Sequence, residues 1–279
     1  MATFQTRDGV CLHYTETGQG LPVLAIPGLT RNSTDFNHVA PHLEGIRLIR
    51  IDLRGRGLSE WAPPETYTVV QEATDVLDLL DHLGLEKTAV LGTSRGGLIA
   101  MYMAFAHKDR LSGALLNDIG PKIEASGLRI ISSYVGKNPA QQTYDEAAEA
   151  RAKLWKGFRN VPMSRWRAEV EQHYRETPNG LVARYDPRLG ESFSQDFDGE
   201  VPTAWPLFDA LDGLPTALLR GETSDILSRE TAEEMKARRP DLIYGEVEGR
   251  GHVPFLDEPQ SLEVIDDWIE ALHRTSRAS

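Results

Sequence analysis

The chain has 279 residues, 40% of them hydrophobic, which is typical of a globular domain or of a core domain carrying an insertion, and excludes disordered and fibrous classes. The formal net charge is −12 at pH 7, and the acidic excess is spread along the chain. This distribution argues against a nucleic acid or an anionic membrane as partner, because either would require a basic surface.

Cys11 is the single cysteine, which excludes an intrachain disulfide. The first nine residues lack the apolar core of a signal peptide, and no apolar run approaches the length that spans a membrane. We therefore expect a cytoplasmic protein without membrane association. The sequence leaves open whether it is a monomer or a homodimer.

The first 117 residues of the chain alternate strand and helix patterns. Residues 3–7 and 10–17, joined by Asp8-Gly9, predict a β-hairpin. Further strands are predicted at 22–26, 46–51, 88–91 and 111–117, with helices at 69–83 and 97–104. The alternation predicts an α/β fold, with a mostly parallel sheet of about eight strands flanked by helices on both faces.

The pattern changes after Pro121. Residues 122–210 carry charge-rich helical segments at 143–158 and 164–176 with several aromatic side chains, and no strand of the earlier kind. Strands at 215–220 and 242–247 and helices at 229–238 and 262–273 then restore the first pattern. We therefore predict a core domain made of residues 1–121 and 211–279, with residues 122–210 inserted as a helical cap.

A candidate nucleophile, Ser94, lies between a predicted strand and a predicted helix in the sequence Gly92-Thr93-Ser94-Arg95-Gly96. Glycines two residues before and after a serine permit a very tight turn that exposes its hydroxyl above the sheet edge. A serine hydroxyl is a poor nucleophile until a base removes its proton and a third group orients that base. The pattern therefore calls for a histidine and an acid elsewhere.

Among eight histidines, His252 lies on a glycine-rich loop directly after the last predicted strand, where α/β sheets place functional groups. The others are more typical of surface or packing positions. Asp225 follows the strand at 215–220 and is the favoured acid, while Asp118 is a rival and Glu222 a weaker one. The order Ser94, Asp225, His252 is one of three orders known for such a triad.

An acyl-transfer serine also requires hydrogen-bond donors for the oxyanion that forms during the reaction. The backbone N–H of Arg95, the residue after the candidate nucleophile, is one predicted donor. The backbone N–H of Leu29, in the loop after the strand at 22–26, is the other, because Gly28 allows the chain to approach closely.

These motifs, together with Asp52-Leu53-Arg54-Gly55-Arg56-Gly57-Leu58-Ser59, resemble the α/β-hydrolase superfamily in its capped branch. The resemblance covers almost the whole chain and implies a carboxylesterase-like serine hydrolase that needs no cofactor. It also implies that Asp52, Arg54 and Arg56 fix a turn rather than catalyse. Two positions depart from many members, since Pro27 and Thr93 stand where those members have histidine.

Serine at the elbow, in place of aspartate, argues against alkyl-halide and epoxide chemistry. The leading hypothesis is hydrolysis of a carboxylic ester or lactone with an apolar acyl or aryl group, through an acyl-serine intermediate. The alternatives are hydrolysis of a carbon–carbon bond in a β-diketone-like compound and a non-catalytic small-molecule binding protein. Metal-ligand and dinucleotide motifs are absent from the sequence. Arg31 and Arg95 are more typical of solvent-facing or salt-bridged arginines than of carboxylate ligands.

Overall fold

The computed structural model describes residues 2–193 and 201–278. The strands are β1 Ala2–Gln5, β2 Cys11–Gly18, β3 Leu21–Ile26, β4 Ile46–Ile51, β5 Thr88–Thr93, β6 Leu111–Asn117, β7 Tyr174–Thr177, β8 Gly180–Ala183, β9 Thr216–Gly221 and β10 Ile243–Val247. The helices are α1 Val69–His82, α2 Arg95–Ala106, α3 Ala125–Tyr134, α4 Tyr144–Leu154, α5 Met163–His173, α6 Leu189–Phe193, α7 Trp205–Asp209, α8 Arg229–Arg238 and α9 Pro259–Ala278.

Eight of these strands form one sheet in the order β1-β2-β4-β3-β5-β6-β9-β10. β2 is antiparallel to both β1 and β4, and every pair from β4 to β10 is parallel. The predicted mostly parallel sheet of about eight strands is therefore confirmed. Because the parallel strands end at the same edge of the sheet, the residues that follow β3, β5, β6, β9 and β10 are brought together there.

The two faces of the sheet have separate apolar cores. In β3, Val23 and Ala25 pack with α9 on one face, where Trp268 is completely buried. Leu24 and Ile26 pack on the other face with residues of α1, α2 and α8. Both faces are covered, which explains why the parallel strands read as continuous apolar runs in the sequence. Among the described helices, none is both long enough and apolar enough to cross a membrane.

The chain between β6 and β9 contains α3 to α7 and a separate antiparallel hairpin of β7 and β8. The predicted helical segments at 143–158 and 164–176 correspond to α4 and α5. The hairpin was not predicted, although its turn residues Pro178 and Asn179 and the following Gly180, which has φ +103°, are typical of a turn. The division of the chain at 121/122 and 210/211 stays a prediction, and residues 194–200 of the predicted cap lie outside the described residues.

Candidate active site

Ser94 lies on an abrupt turn between β5 and α2, with φ +49° and ψ −108°. A positive φ in a residue with a side chain costs about 1–3 kcal/mol, which the surrounding packing must offset. A side chain at Gly92 would come within 2.5 Å of the Gly96 backbone, and one at Gly96 would collide with the carbonyl oxygen of Ile26. The two glycines are therefore required for the turn that presents the Ser94 hydroxyl.

His252 follows β10, and its Nε2 lies 2.9 Å from Ser94 Oγ. The loop that carries the histidine is anchored to the end of β6, where Asn117 Nδ2 donates to the carbonyl of Pro254 at 3.1 Å. The loop is also held by Glu258, which accepts the backbone N–H of Phe255 at 2.9 Å. The histidine side chain keeps 14% of its surface exposed, so the Ser94–His252 pair is accessible while its orientation is fixed.

The carboxylate that contacts His252 is Asp118, whose Oδ2 lies 2.7 Å from His252 Nδ1. The Asp118 side chain is completely buried. It also accepts the backbone N–H of Gly221 at 2.7 Å and the hydroxyl of Ser224 at 2.6 Å. These three hydrogen bonds orient the carboxylate toward the histidine.

Asp225, the favoured acid from the sequence, is not the partner of His252, so that prediction is corrected to Asp118. The Asp225 side chain is exposed, and within the described chain it makes no hydrogen bond to the histidine. The chain turns back at Ser224, whose N–H donates to Gly221 O at 3.0 Å, before Asp225 is reached. The loop after β9 thus contributes the Ser224 hydroxyl, which donates to Asp118, and does not contribute the Asp225 carboxylate to His252.

The two residues predicted to supply oxyanion donors come from the loop after β3 and from the start of α2. Leu29 lines the same cavity as Ser94, in the loop after β3, which is the strand next to β5. Arg95 is the first residue of α2, so its N–H is at the positive end of the helix dipole. Within residues 2–193 and 201–278, neither N–H donates a hydrogen bond, which leaves both free for a ligand.

A buried carboxylate on α1, Glu72, connects the residues that carry these two donors. One of its oxygens lies 2.6 Å from Arg95 Nε and the other 2.8 Å from Arg56 Nη1. Arg56 Nε in turn donates to the carbonyl of Leu29 at 2.9 Å. Burial would raise the pKa of the Glu72 carboxyl, but Arg95 and Arg56 together hold it below its usual value. Glu72 was not identified from the sequence. Its position on the apolar face of the predicted helix at 69–83 was the signal that could have indicated a buried carboxylate.

The motif from Asp52 to Ser59 has the turn-fixing contacts implied by the family resemblance. Asp52 accepts the backbone N–H groups of Ser33 at 2.6 Å and Leu58 at 2.9 Å, and it contacts His13 Nδ1 at 2.9 Å. Arg56 has the additional contact with the Leu29 carbonyl described above. The side chain of Arg95 is salt-bridged, as the sequence favoured, and does not line the cavity.

Ser94 and His252 open into a cavity of about 370 Å³, within the range of small-molecule sites. Its walls include aromatic side chains from the segment between β6 and β9, among them Tyr134, Trp155 and Tyr185. Arg151 and His173 from the same segment also line it, and neither was identified from the sequence. No group of three His, Cys, Asp or Glu residues suited to a metal ion occurs in the described parts of the chain.

Comparison with known proteins agrees with this architecture. The model of the alpha/beta hydrolase family matches residues 23–263. The chain is 34% identical over 253 residues to a 3-hydroxybutyrate-oligomer hydrolase of Cupriavidus necator, covering 87% of this chain and 86% of that protein. It is 32% identical over 181 residues to lipase LipV of Mycobacterium tuberculosis, covering 64% of this chain and 66% of that one. A crystal structure of an alpha/beta hydrolase from Novosphingobium aromaticivorans superposes with a TM-score of 0.89, at 36% identity and with 97% of each chain covered.

The choice between Asp118 and Asp225 can be tested by the reactivity of Ser94 toward a fluorophosphonate. We expect Asp118→Asn to slow labelling of Ser94 by up to about 10⁴-fold, because the histidine loses the carboxylate that sets its tautomer. Asp225→Asn removes an exposed carboxylate from the neighbouring loop and serves as the matched control, with labelling at the unmodified rate. The reverse result, slow labelling only in Asp225→Asn, would contradict the geometry, and absence of labelling in the unmodified protein would favour a non-catalytic binding protein.

Proposed function

The chain belongs to the alpha/beta hydrolase family, and from this membership and the geometry of the site we propose that it hydrolyses carboxylic esters through an acyl-serine intermediate. The observation that carries the proposal is the hydrogen-bonded series Ser94–His252–Asp118, with distances of 2.9 and 2.7 Å. Two similar proteins, a 3-hydroxybutyrate-oligomer hydrolase and a lipase, have names that describe ester cleavage, which supports the same bond type for this chain.

In the first half of the proposed reaction, His252 acts as the base. Its Nδ1–H donates to Asp118, which leaves the Nε2 lone pair directed at the Ser94 hydroxyl. Ser94 Oγ attacks the ester carbonyl carbon while its proton moves to Nε2. The electron pair of the carbonyl bond moves to the oxygen, and the resulting oxyanion accepts the N–H groups of Leu29 and Arg95.

The same groups complete the formation of the acyl-serine and then its hydrolysis. As the tetrahedral intermediate collapses, its bond to the alcohol oxygen breaks, and His252 Nε2 returns its proton to that oxygen. A water molecule then gives a proton to His252 and attacks the acyl-serine, which forms a second oxyanion at Leu29 and Arg95. Collapse of this intermediate breaks its bond to Ser94 Oγ, which takes the proton back from His252 Nε2, and releases the carboxylic acid.

The expected apolar acyl or aryl group is supported by the cavity wall. Tyr134, Trp155 and Tyr185 supply aromatic surface, and Ile131 and Leu154 supply aliphatic surface. Burial of such a group against these side chains contributes about 25 cal/mol per Å² of apolar area. A small-molecule ester therefore fits the site by size and by polarity.

The nucleophile can be tested by Ser94→Ala. We expect kcat on 4-nitrophenyl butyrate to fall by roughly 10⁶-fold, since the acyl-serine can no longer form. Release of 4-nitrophenol measures the rate, and Ser132→Ala, a serine of α3 outside the cavity wall, is the control.

Product analysis on a β-diketone beside the ester separates the two hydrolytic reactions. Cleavage of the diketone with no ester turnover would contradict the ester assignment, and full ester turnover by Ser94→Ala would contradict the nucleophile.

The role of Glu72 can be tested against a neighbouring buried acid. Glu72→Gln should lower the free energy of unfolding by about 3–5 kcal/mol, because the buried Arg56 and the partly buried Arg95 lose their charged partner. It should also lower kcat for the ester by roughly tenfold to a hundredfold, since Leu29 and Arg95 are no longer fixed. Denaturant titration and ester kinetics at a temperature where the variant is folded measure the two effects.

The matched control is Asp75→Asn, also on α1, which breaks the buried pair between Asp75 and Arg54 Nε at 2.6 Å. This variant should lose comparable stability without a comparable loss of kcat, because Arg54 contacts neither Leu29 nor Arg95. Equal losses of kcat in the two variants would show that Glu72 acts only through stability.

A further inference from the structure

The charges on the cavity wall have the sign opposite to that of the whole protein. The chain has a net charge of −12, yet the described residues that line the cavity include Arg31, Lys137 and Arg151 and no aspartate or glutamate. Asp118 lies behind His252 and is completely buried. The wall therefore attracts an anion to the space beside Ser94.

Arg151, on α4, has no carboxylate partner among the described residues. Its Nη1 donates to His173 Nδ1 at 2.8 Å, and its Nη2 lies 3.4 Å from the hydroxyl of Tyr174. The guanidinium also lies over the rings of Trp155, at 5.0 Å, and Tyr174, at 5.5 Å. These contacts fix its orientation without a direct carboxylate contact among the described residues.

Arg31, in the loop after β3, has two carboxylates near one end of its guanidinium and donors without a described partner at the other. Its Nη1 lies 3.4 Å from carboxylate oxygens of both Asp35 and Glu169, which are long contacts, whereas its Nε and Nη2 donate to no described residue. Gly28 separates the Arg31 side chain from Ser94. A Cβ atom at Gly28 would lie 3.6 Å from Arg31 Cδ and 3.8 Å from Ser94 Cβ. The arginine stem is therefore beside the nucleophile.

His173 lies between the two arginines, with its Nδ1 2.8 Å from Arg151 Nη1 and its Nε2 3.1 Å from Arg31 Nη1. Its Nδ1 accepts from Arg151, so the ring proton is on Nε2, which donates to Asp35 at 2.9 Å. Burial and the charge of Arg31 together hold the pKa of His173 below its usual value. The imidazole is therefore neutral, and the positive charge around it belongs to the two guanidinium groups.

We propose that the cavity selects esters that carry a free carboxylate, which Arg151 and Arg31 bind while Ser94 attacks the ester. The substrate class is the half-esters of dicarboxylic acids and the O-acyl derivatives of hydroxycarboxylic acids. Guanidinium groups bind carboxylates by paired charge-assisted hydrogen bonds, which suits them to this role. This inference rests on the proposed ester hydrolysis at Ser94 and adds the part of the substrate that is recognised.

Two pairs of esters distinguish the position of the carboxylate in the substrate. Mono-4-nitrophenyl glutarate has it in the acyl half and is compared with the 4-nitrophenyl ester of glutaramic acid, its uncharged analogue. 3-Acetoxybutyrate has it in the alcohol half and is compared with 3-acetoxybutyramide. In at least one pair we expect kcat/KM to be higher for the anion by roughly tenfold to a hundredfold.

The preference should depend on Arg151. We expect Arg151→Gln to lower the anion-to-amide ratio of kcat/KM by about tenfold or more, and Arg151→Lys to retain part of it. Arg175→Gln removes an exposed arginine of β7 outside the cavity wall and is the charge-matched control, which should keep the full ratio. Circular dichroism establishes that each variant is folded.

The outcomes separate this inference from the proposed function. Equal kcat/KM within both ester pairs, or an unchanged ratio in Arg151→Gln, would overturn carboxylate selection even if Ser94→Ala abolishes all turnover. If none of the esters is hydrolysed, a competition assay tests the inference by measuring how well a ligand protects Ser94 from labelling by a fluorophosphonate. Butyrate should protect at a concentration at least tenfold below that of butyramide. Arg151→Gln should remove this difference. Equal protection by the acid and the amide would overturn it.

Discussion

The close packing of Gly96 on β3 is the constraint on which the site depends. Any side chain at Gly96 would collide with Ile26, so α2 can begin directly against the end of β3 only with glycine at this position. That contact places the first N–H of α2 beside the loop that carries Leu29. It also forces the backbone of Ser94 into its unusual conformation, which directs the hydroxyl away from the sheet toward His252.

Buried charge then fixes what the glycines bring together. Glu72 has no exposed surface and pairs with Arg56 and Arg95, so one carboxylate on α1 holds both sides of the proposed oxyanion site. Asp118 has the same function for the histidine, because three donors converge on it. Both carboxylates are buried and paired with neighbouring groups, and such groups rigidify a site in a way that solvent-exposed pairs do not.

The cavity beside this rigid centre has a different electrostatic character from the protein surface. Arg31 and Arg151 contact opposite nitrogens of one neutral imidazole, His173, and face a space with no described carboxylate on its wall. Arg31 has Asp35 and Glu169 at 3.4 Å, whereas Arg151 makes no direct carboxylate contact among the described residues. A bound anion would supply Arg151 with such a contact, which is the physical basis for the proposed carboxylate-bearing substrate.

The sequence by itself determined the sheet, the order of its parallel strands along the chain, and the positions of Ser94 and His252 at strand ends, because periodicity and glycine spacing are local properties. It placed both Asp118 and Asp225 after strands but could not rank them correctly. That choice depends on how the loop after β9 turns at Ser224, which directs a hydroxyl to Asp118 and leaves Asp225 exposed. Glu72, Arg151 and His173 were likewise undetermined, since their roles arise from contacts between residues 22 to 138 positions apart, which only the tertiary structure brings together.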